Sequence, residues 1–344
     1  MIKEAIQALV SGRSLTTEEA ASVMEDIMQG EATPAQFGAF VTALRIKGET
    51  ADEIAGLASV MRAKAIRVMT TDSVIDIVGT GGDNSRSFNI STAAAFAAAG
   101  AGIKVAKHNN RAMTSHCGSA DVLEALGMRI DLDANQVRDC LEQVGIGFMF
   151  APLFHPAMKF ATAPRREIGI RTVFNILGPL TNPALAESMV IGVPSEELGE
   201  KLVQVLFRLG SKHSLVVHGL DGMDEISIAG RSKVWELCEG KITNYYVSPE
   251  DFGLARAGVE TIKGGTPSEN GEMLRSVLAG EKGPRRNVVL MNAAAGVVVG
   301  NRTKRLSGLP ALKEGIEIAE EAIDSGRALD KLEKLIKLSQ SFSR

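Results

Sequence analysis

The sequence lacks three features: a concentrated basic region, a long apolar run and a paired set of cysteines. Its 38 lysines and arginines are scattered along the chain and are balanced by 41 acidic residues, so that the formal net charge is -3. A surface that binds nucleic acid usually gathers its basic residues into a patch or a stripe. The charge distribution therefore argues against a nucleic-acid partner.

The longest apolar run extends from Ala93 to Ile103, consists mostly of alanine and is followed by Lys104. A membrane-spanning helix needs about 20 apolar residues, so this run is too short to cross a bilayer. The N-terminal segment, residues 1–12, has a glutamate within its apolar periodicity and no small-residue cleavage site. Such a segment is typical of an amphipathic helix and not of a signal peptide. We therefore expect neither a membrane span nor export.

The cysteines are Cys117, Cys140 and Cys238, and no two of them form a CxxC pair. Three cysteines in one chain cannot all be paired, and this usage suits a reducing compartment better than a disulfide framework. We therefore expect structural cysteines and a cytoplasmic protein. The histidines show no HExxH spacing, so that no zinc site is predicted.

Residues 1–65 carry helical periodicity and three capping boxes, in which a threonine and the side chain three positions later satisfy the first backbone donors of a helix. The boxes pair Thr16 with Glu19, Thr33 with Gln36 and Thr50 with Glu53. Gly30 and Gly48 lie where the preceding helices should end. Because no strand-like segment interrupts this region, we predict a small bundle of helices that forms a domain of its own.

From residue 73 onward, β-branched runs alternate with helical segments. The predicted strands are 74–78, 103–106, 188–193 and 215–218, and the helices between them include 121–125 and 197–209. A fourth capping box, formed by Thr266 and Glu269, predicts the start of a later helix. This alternation is typical of an α/β domain with a largely parallel sheet.

The stretch VIDIVGTGGDNSRSFNIST, residues 74–92, places a glycine-rich loop between a strand and an alanine-rich helix. Gly79, Gly81 and Gly82 let a ligand approach the backbone, and the following helix offers free N–H groups, so the loop suits a phosphate. Asp83 would repel a bare phosphate unless it faces a sugar hydroxyl or a divalent cation, which favours a phosphorylated sugar. The spacing matches neither a P-loop nor a dinucleotide fingerprint, and a tight strand-to-helix turn remains the alternative.

Two further loops follow strands of the same predicted sheet. Lys107 and Asn110 follow the second predicted strand, and Asp224 and Glu225 follow the fourth. Because ligands of open α/β sheets bind at the carboxyl ends of the strands, we expect these loops to face one crevice. The two adjacent carboxylates could serve a magnesium diphosphate if their loop is irregular, and a solvated turn is the alternative.

Six ordered motifs resemble those of the anthranilate phosphoribosyltransferase family of tryptophan biosynthesis. The motifs are GTGGD (79–83), NIST (89–92), KHNNRAMTS (107–115), GSADVLEALG (118–127), RREIGIRTVFNILGPLTNP (165–183) and HGLDGMDE (218–225). The resemblance covers essentially the whole chain. It implies transfer of the phosphoribosyl group of 5-phosphoribosyl 1-diphosphate (PRPP) to the amino group of anthranilate, giving N-(5-phosphoribosyl)anthranilate and diphosphate.

The same resemblance implies a fold of the nucleoside phosphorylase and phosphoribosyltransferase type. In this fold a helical domain, residues 1–65, would form a homodimer and be joined by helices near 165–180. An α/β catalytic domain, residues 73–344, would hold the central, largely parallel sheet. Magnesium would be the cofactor, and PRPP and anthranilate would be the small-molecule partners.

The resemblance also assigns roles to individual residues. PRPP would be bound by Gly79, Gly82, Asp83, Ser87, Asn89, Ile90, Ser91, Thr92, Lys107, Ser115 and Ser119. Anthranilate would be bound by Gly79, Asn110 and Arg165, and magnesium by Ser91, Asp224 and Glu225. No covalent nucleophile is needed. His108 is a candidate for acid–base catalysis, although a lone histidine at a strand end is more often structural.

The main departure from the family is Asn109, because the family usually has KHGNR where this chain has KHNNR. A glycine in a loop often marks a positive φ, which asparagine tolerates better than most other residues. We therefore predict a left-handed backbone at Asn109, with its side chain turned away from anthranilate. Ser87 and Thr114 keep the hydroxyl group of the usual residue, whereas Met113 replaces a smaller one.

Three alternatives come from other functional classes. A pyrimidine nucleoside phosphorylase would share the helical-plus-α/β plan and a GTGG loop, but this chain resembles that family less after Gly82. A nucleic-acid-binding relative would need a basic groove, which the charge balance argues against. A helical scaffold would leave the three phosphate-suited loops without a purpose. A phosphorolysis assay with thymidine and uridine separates the first alternative from a transferase.

Overall fold

The computed structural model describes residues 1–83, 85–112 and 117–343. Its N-terminal part is a helical bundle of α1 (Ile2–Val10), α2 (Thr17–Gln29), α3 (Pro34–Lys47) and α4 (Ala51–Lys64). The three predicted capping boxes all form at the starts of α2, α3 and α4. Gly30 and Gly48 follow α2 and α3 with φ of 79° and 87°. The predicted bundle is therefore confirmed, together with the local signals that begin and end its helices.

The rest of the chain is built on a seven-stranded sheet. Its strands are β1 (Ile75–Gly79), β2 (Val105–Asn109), β3 (Ile146–Phe150), β4 (Ser188–Gly192), β5 (His213–Gly219), β6 (Ser232–Cys238) and β7 (Lys241–Val247). They lie in the order β3-β2-β1-β4-β5-β6-β7. Neighbours from β3 to β5 are parallel, and β6 and β7 add an antiparallel edge. The prediction of a largely parallel sheet is confirmed.

Eleven α-helices of the described residues accompany this sheet. They are α5 (Ile90–Gly100), α6 (Ser119–Ala125), α7 (Ala134–Gln143), α8 (Ala151–Phe154), α9 (Lys159–Ile168), α10 (Phe174–Leu177), α11 (Glu196–Arg208), α12 (Pro267–Leu278), α13 (Pro284–Val299), α14 (Gly308–Asp324) and α15 (Arg327–Ser341). Both α5 and α13 pack against β1, whereas α11 packs against β5 and β6. Among the described residues, no helix combines the length and the apolar character that a membrane crossing requires.

Three strands were not predicted, and one was misplaced. β3 is short and contains a glycine, and β7 has mostly exposed side chains, so neither carries a strong strand pattern. β2 begins two residues later than predicted and continues to Asn109, because Val105 to Asn109 pair one by one with Ile146 to Phe150. Lys107 and His108 are consequently strand residues with fixed directions and do not belong to a loop.

The segment 159–181 connects the helical bundle to the sheet. α9 packs against α2 and α3, and α10 packs against α4. The rings of Phe174 and Phe37 lie 5.2 Å apart, and Arg62 Nε donates a hydrogen bond of 2.6 Å to the Leu180 carbonyl. This part of the chain therefore lies between the bundle and the strand ends.

The position of the site follows from the strand order. The chain leaves β1 toward β2 and β3 on one side, and returns to β4 and β5 on the other, so that β1 and β4 flank the switch point where such sheets bind ligands. Gly79 and Gly192 end these two strands. A Cβ atom on Gly192 would lie 1.5 Å from the Asp224 carbonyl oxygen, and one on Gly79 would lie 2.2 Å from Asp224 Oδ2. The loop that follows β5 therefore lies directly over the ends of β1 and β4.

This close approach predicts an effect of Gly192→Ala. The added methyl group must displace the backbone of Asp224, so we expect a loss of about 1–3 kcal/mol in unfolding free energy, together with a loss of activity. Gly230→Ala, in the loop that follows β5, is the control, because an added Cβ there meets nothing within 4 Å. Denaturant unfolding of both variants measures the difference. Equal stability of the two variants would contradict the packing described here.

Candidate active site

The loop after β1 is fixed to two other parts of the chain. It starts at Gly79, and the backbone N–H of Gly81 donates a hydrogen bond of 2.7 Å to Asp224 Oδ2. Ser87 forms an antiparallel bridge with Lys263. The glycine-rich loop thus lies between the β5 loop and the segment that precedes α12, and its backbone is available to a ligand from the crevice.

The N-terminus of α5 lacks a side-chain cap. Asn89 occupies the N-cap position, but its side chain does not bond to the first turn of the helix. Instead, Asn89 Nδ2 donates to the Cys117 carbonyl at 3.2 Å, and its Oδ1 accepts from Asn270 Nδ2 at 3.0 Å. The side chain of Asn89 therefore does not cap α5. The first N–H groups of α5 therefore receive no hydrogen-bond acceptor from the Asn89 side chain, and they suit an anionic ligand.

Three carboxylates gather beside the start of α5. Burial and the neighbouring charge of Asp83 raise the pKa of Asp224. Burial and the charge of Asp224 likewise raise the pKa of Glu225 well above its usual value, although Lys107 and the Ser91 backbone act in the opposite direction. Asp224 and Glu225 lie in an irregular segment after β5 that contains no helix or strand. Adjacent side chains on a regular strand would point to opposite faces, so the irregular backbone is what allows both carboxylates to serve one ligand.

This carboxylate group fits a divalent cation. Asp83 Oδ2 is buried and finds no hydrogen-bond partner within the described residues, and mutual repulsion disfavours the ionised forms of Asp224 and Glu225. A bound cation would give Asp83 Oδ2 a partner and would reduce the repulsion between Asp224 and Glu225. In the part of the chain that the structure describes, no group of three or more histidine, cysteine or acidic side chains could hold a metal ion by itself. Magnesium suits such a site, since it commonly takes one or two carboxylates together with water and phosphate oxygens.

Lys107 supplies a positive charge below the loop. Its side chain is buried, and Nζ donates a hydrogen bond of 2.6 Å to the Ile77 carbonyl and lies 3.5 Å from Ser91 Oγ. Burial lowers the pKa of Lys107, whereas the charges of Asp76 and Glu225 raise it. The ammonium group is thus held at the junction of β1, β2 and α5, where it can attract an anion in the crevice.

Asn109 does not have the predicted left-handed backbone. It is the last residue of β2, where it pairs with Phe150, and it is not among the non-glycine residues with positive φ. The strand pairing extends farther than the sequence pattern indicates, and an extended backbone explains why no glycine is required. A β-branched residue such as valine would therefore meet no left-handed strain at position 109. The Asn109 side chain instead reaches Ser119 on α6.

His108 and Lys107 are adjacent in β2 and therefore point to opposite faces of the sheet. The His108 ring lies 5.0 Å from the ring of His155. Burial, followed by the neighbouring His155, lowers the pKa of His108 to about 3. Its backbone N–H donates to Asp76 Oδ2 at 3.3 Å. His108 is therefore a neutral, buried imidazole with little basicity.

Arg165 lies on α9, at the junction with the helical bundle. Its guanidinium carbon is 5.5 Å from the centre of the Phe174 ring, and Nη2 approaches the Phe174 carbonyl at 3.4 Å. Burial lowers the pKa of this arginine. No carboxylate pairs with Arg165 among the residues that the structure describes. A partly buried guanidinium of this kind can donate two hydrogen bonds to the carboxylate of a ligand in bidentate geometry.

The structure brings half of the predicted site residues into two groups. Contacts link Gly79, Asp83, Ser91, Lys107, Asp224 and Glu225 in one group, and Thr92 with Ser119 in another. Asn110 follows β2, and its carbonyl accepts a hydrogen bond of 3.3 Å from the N–H of Ala120, the residue after Ser119. Arg165 lies apart on α9, where its guanidinium approaches the Phe174 carbonyl. Met113, Thr114 and Ser115 lie outside the described residues.

Sequence reasoning missed three polar residues at this site. A Cβ atom on Gly82 would lie 1.8 Å from Arg171 Nη1. Burial lowers the pKa of Arg171, and the charges of Asp224 and Asp83 act in the opposite direction. Asn270 of α12 supports Asn89, as described above. Asn182 Nδ2 donates to Asp76 Oδ2 at 2.8 Å. Arg171 and Asn182 belong to the quoted 165–183 motif, which was a usable signal, whereas nothing local to Asn270 indicates its role.

Comparisons with known proteins identify the family to which the chain belongs. The family model described as "Glycosyl transferase family, helical bundle domain" matches residues 3–65, and "Glycosyl transferase family, a/b domain" matches residues 71–329. An anthranilate phosphoribosyltransferase of Dehalococcoides mccartyi is 61% identical over 345 residues, which cover 100% of this chain and 99% of that protein.

Solved structures give the same result. The anthranilate phosphoribosyltransferase of Thermus thermophilus has a TM-score of 0.90 and 43% identity, with 98% of this chain and 99% of that chain covered. The enzyme of Saccharomyces cerevisiae, solved in complex with PRPP and Mg, has a TM-score of 0.89 and 30% identity, with 99% and 98% covered. The chain therefore belongs to the anthranilate phosphoribosyltransferases of the glycosyl transferase family.

Proposed function

We propose that the crevice at the carboxyl ends of β1, β2, β4 and β5 binds PRPP with magnesium and presents anthranilate to the anomeric carbon of the ribose. The activity of the chain is that of its family, anthranilate phosphoribosyltransferase activity in tryptophan biosynthesis. The observation that carries the proposed site is the group of Asp83, Asp224 and Glu225 at the uncapped start of α5, with Lys107 below it. The yeast relative bound to PRPP and Mg supports the same ligands here.

The residue roles are part of this proposal. We assign PRPP to Gly79, Gly82, Asp83, Ser87, Asn89, Ile90, Ser91, Thr92, Lys107, Ser115 and Ser119. We assign anthranilate to Gly79, Asn110 and Arg165, and magnesium to Ser91, Asp224 and Glu225. The phosphate groups would meet backbone N–H groups and Lys107, while the carboxylate group of anthranilate would meet Arg165. The two substrates therefore depend on different charged side chains.

The transfer breaks the bond between the anomeric carbon and a diphosphate oxygen. A new bond forms between that carbon and the amine nitrogen, which loses one proton. Such a transfer passes through an oxocarbenium-like state, so the protein must stabilise the departing negative charge and align the amine. In this proposal, Lys107 and the first N–H groups of α5 would stabilise that charge. Magnesium, when bound, neutralises part of the diphosphate charge.

No protein group is assigned as the base that accepts the amine proton. His108 is the nearest candidate by sequence, but its pKa of about 3 makes it a weak acceptor near neutral pH. A general base works best when its pKa lies near the operating pH. We therefore assign His108 a structural role beside Asp76 and His155.

We also propose a homodimer formed through the helical domain, residues 1–65, with the α/β domain, residues 73–344, carrying the site. Met1, Val10 and Ile46 expose 63%, 70% and 81% of their surface on this bundle, and such apolar exposure favours an interface. The three cysteines are free, which supports the proposed cytoplasmic location. Sedimentation equilibrium at micromolar concentration tests the dimer, and a monomer would contradict it.

The function itself is tested by a magnesium-dependent assay with PRPP and anthranilate that follows the loss of anthranilate fluorescence. We expect turnover with this pair and no phosphorolysis of thymidine or uridine. Release of thymine from thymidine in the presence of phosphate, without turnover of anthranilate, would favour the nucleoside phosphorylase alternative.

Replacement of Arg165 tests the anthranilate site. Arg165→Ala removes a charge-assisted contact to the substrate carboxylate, so we expect the KM for anthranilate to rise by about 10- to 100-fold. The KM for PRPP should stay close to that of the parent, because PRPP is assigned to other loops. Arg166→Ala, at the exposed neighbouring position, is the matched control. An equal rise of both KM values in Arg165→Ala would indicate that Arg165 has a different role.

Replacement of the adjacent carboxylates tests the metal site. Asp224→Asn combined with Glu225→Gln keeps the side-chain shapes but removes two charges, so we expect the magnesium requirement to rise by about 10- to 100-fold. Asp131→Asn combined with Glu197→Gln is a control at two exposed positions. A magnesium titration of the site variant that matches the parent would place the metal elsewhere.

The same variant has a predicted effect on stability. Burial raises the pKa of both carboxyls above their values in the unfolded chain, so the parent loses stability as pH rises through these raised values. Without metal at about pH 8, the amide variant should therefore melt at a higher temperature than the parent, and the difference should shrink at about pH 5. A variant that melts lower than the parent at both pH values would argue against buried ionised carboxylates.

A further inference from the structure

Asn109 is the last residue of β2, and its side chain contacts both ends of the segment that connects β2 to α6. Its Nδ2 group donates a hydrogen bond of 3.0 Å to Ser119 Oγ. Its Oδ1 atom accepts a hydrogen bond of 2.8 Å from the backbone N–H of Asn110. A single side-chain amide thus contacts one residue assigned to PRPP and one assigned to anthranilate.

The Ser119 hydroxyl has two lone pairs and one proton. Asn109 Nδ2 donates to this oxygen, and Thr92 Oγ1 donates to it as well at 3.0 Å. Thr92 is fully buried and Ser119 is 6% exposed, so water competes little for these bonds. Since both acceptor positions of Ser119 are used by protein donors, its proton must be directed to another acceptor. No such acceptor is found among the described residues, which leaves the proton for a ligand oxygen.

The other end of the Asn109 amide fixes the turn that follows β2. Once Asn109 Oδ1 holds the Asn110 N–H, Asn110 Oδ1 accepts from the Arg111 N–H at 2.8 Å. Arg111 is held in turn by Glu124 on α6. The Nδ2 donors of Asn110 have no partner in the described chain, so they are available to the second substrate.

We propose that Asn109 is a positioning residue that sets the Ser119 hydroxyl as a hydrogen-bond donor toward PRPP and orients Asn110 toward anthranilate. The inference rests on the proposed substrate assignments of Ser119 and Asn110. Asn109 itself needs no contact with either substrate. Its chemistry requires a donor and an acceptor on one planar group of this length, which an amide provides and alanine does not.

The test is a double-mutant cycle on Asn109 and Ser119, with the KM for each substrate measured separately. The proteins are the parent, Asn109→Ala, Ser119→Ala and the double variant, and Asn244→Ala on the exposed edge strand β7 is the control for an asparagine replacement. Thermal melting of every variant verifies that the fold is intact.

We expect Asn109→Ala to raise the KM for PRPP by about threefold to tenfold, in line with the loss of one oriented hydrogen bond. Ser119→Ala should raise the KM for PRPP alone, while Asn109→Ala should raise the KM for anthranilate as well. In the double variant, the KM for PRPP should equal that of Ser119→Ala, and the KM for anthranilate should equal that of Asn109→Ala.

Two results would overturn the inference in different ways. If Ser119→Ala raises the KM for PRPP but the effects of the two substitutions multiply in the double variant, Asn109 does not act through Ser119, and the PRPP assignment stands. If Ser119→Ala leaves the KM for PRPP at the parent value, the assignment of Ser119 to PRPP fails, and the inference fails with it. Absence of turnover in the parent would reject the proposed function before the cycle is measured.

Discussion

The site depends on one constraint, namely that two adjacent carboxylates lie over the ends of β1 and β4. Asp224 and Glu225 can occupy this place only because Gly79 and Gly192 carry no Cβ that would collide with the loop. Their charges repel one another, and burial raises the pKa of both. Lys107 and the N–H groups at the start of α5 compensate only in part for the burial and mutual repulsion of these two charges. A cation and an anion bound together would complete the balance, which is the chemistry that a magnesium diphosphate provides.

Side-chain amides join several of the loops around this centre. Asn270 holds Asn89 at the start of α5, and Asn89 holds the Cys117 carbonyl ahead of α6. Amides can both donate and accept hydrogen bonds without adding charge, so they fix the geometry of the loops without changing the charge balance around Lys107. These neutral groups thereby set the distances between the loops.

The features predicted correctly from the sequence are those that depend on residues close to one another along the chain. Capping boxes such as Thr16 with Glu19, and the glycine after β1, are local signals and were placed correctly. The antiparallel strands β6 and β7, and the support that Asn270 gives to Asn89 from 181 residues away, depend on contacts that local patterns do not contain. Asn109 was misjudged for the same reason, since only its pairing with Phe150 reveals an extended backbone.

The central claim is that the carboxylate centre binds a divalent cation together with the diphosphate of PRPP. Titration of Mn²⁺, followed by electron paramagnetic resonance, measures this directly in the parent and in the variant that carries Asp224→Asn and Glu225→Gln. The account predicts weak binding of Mn²⁺ by the parent alone, much tighter binding when PRPP is present, and loss of this gain in the variant. Equal binding of Mn²⁺ by the parent and the variant in the presence of PRPP would contradict it.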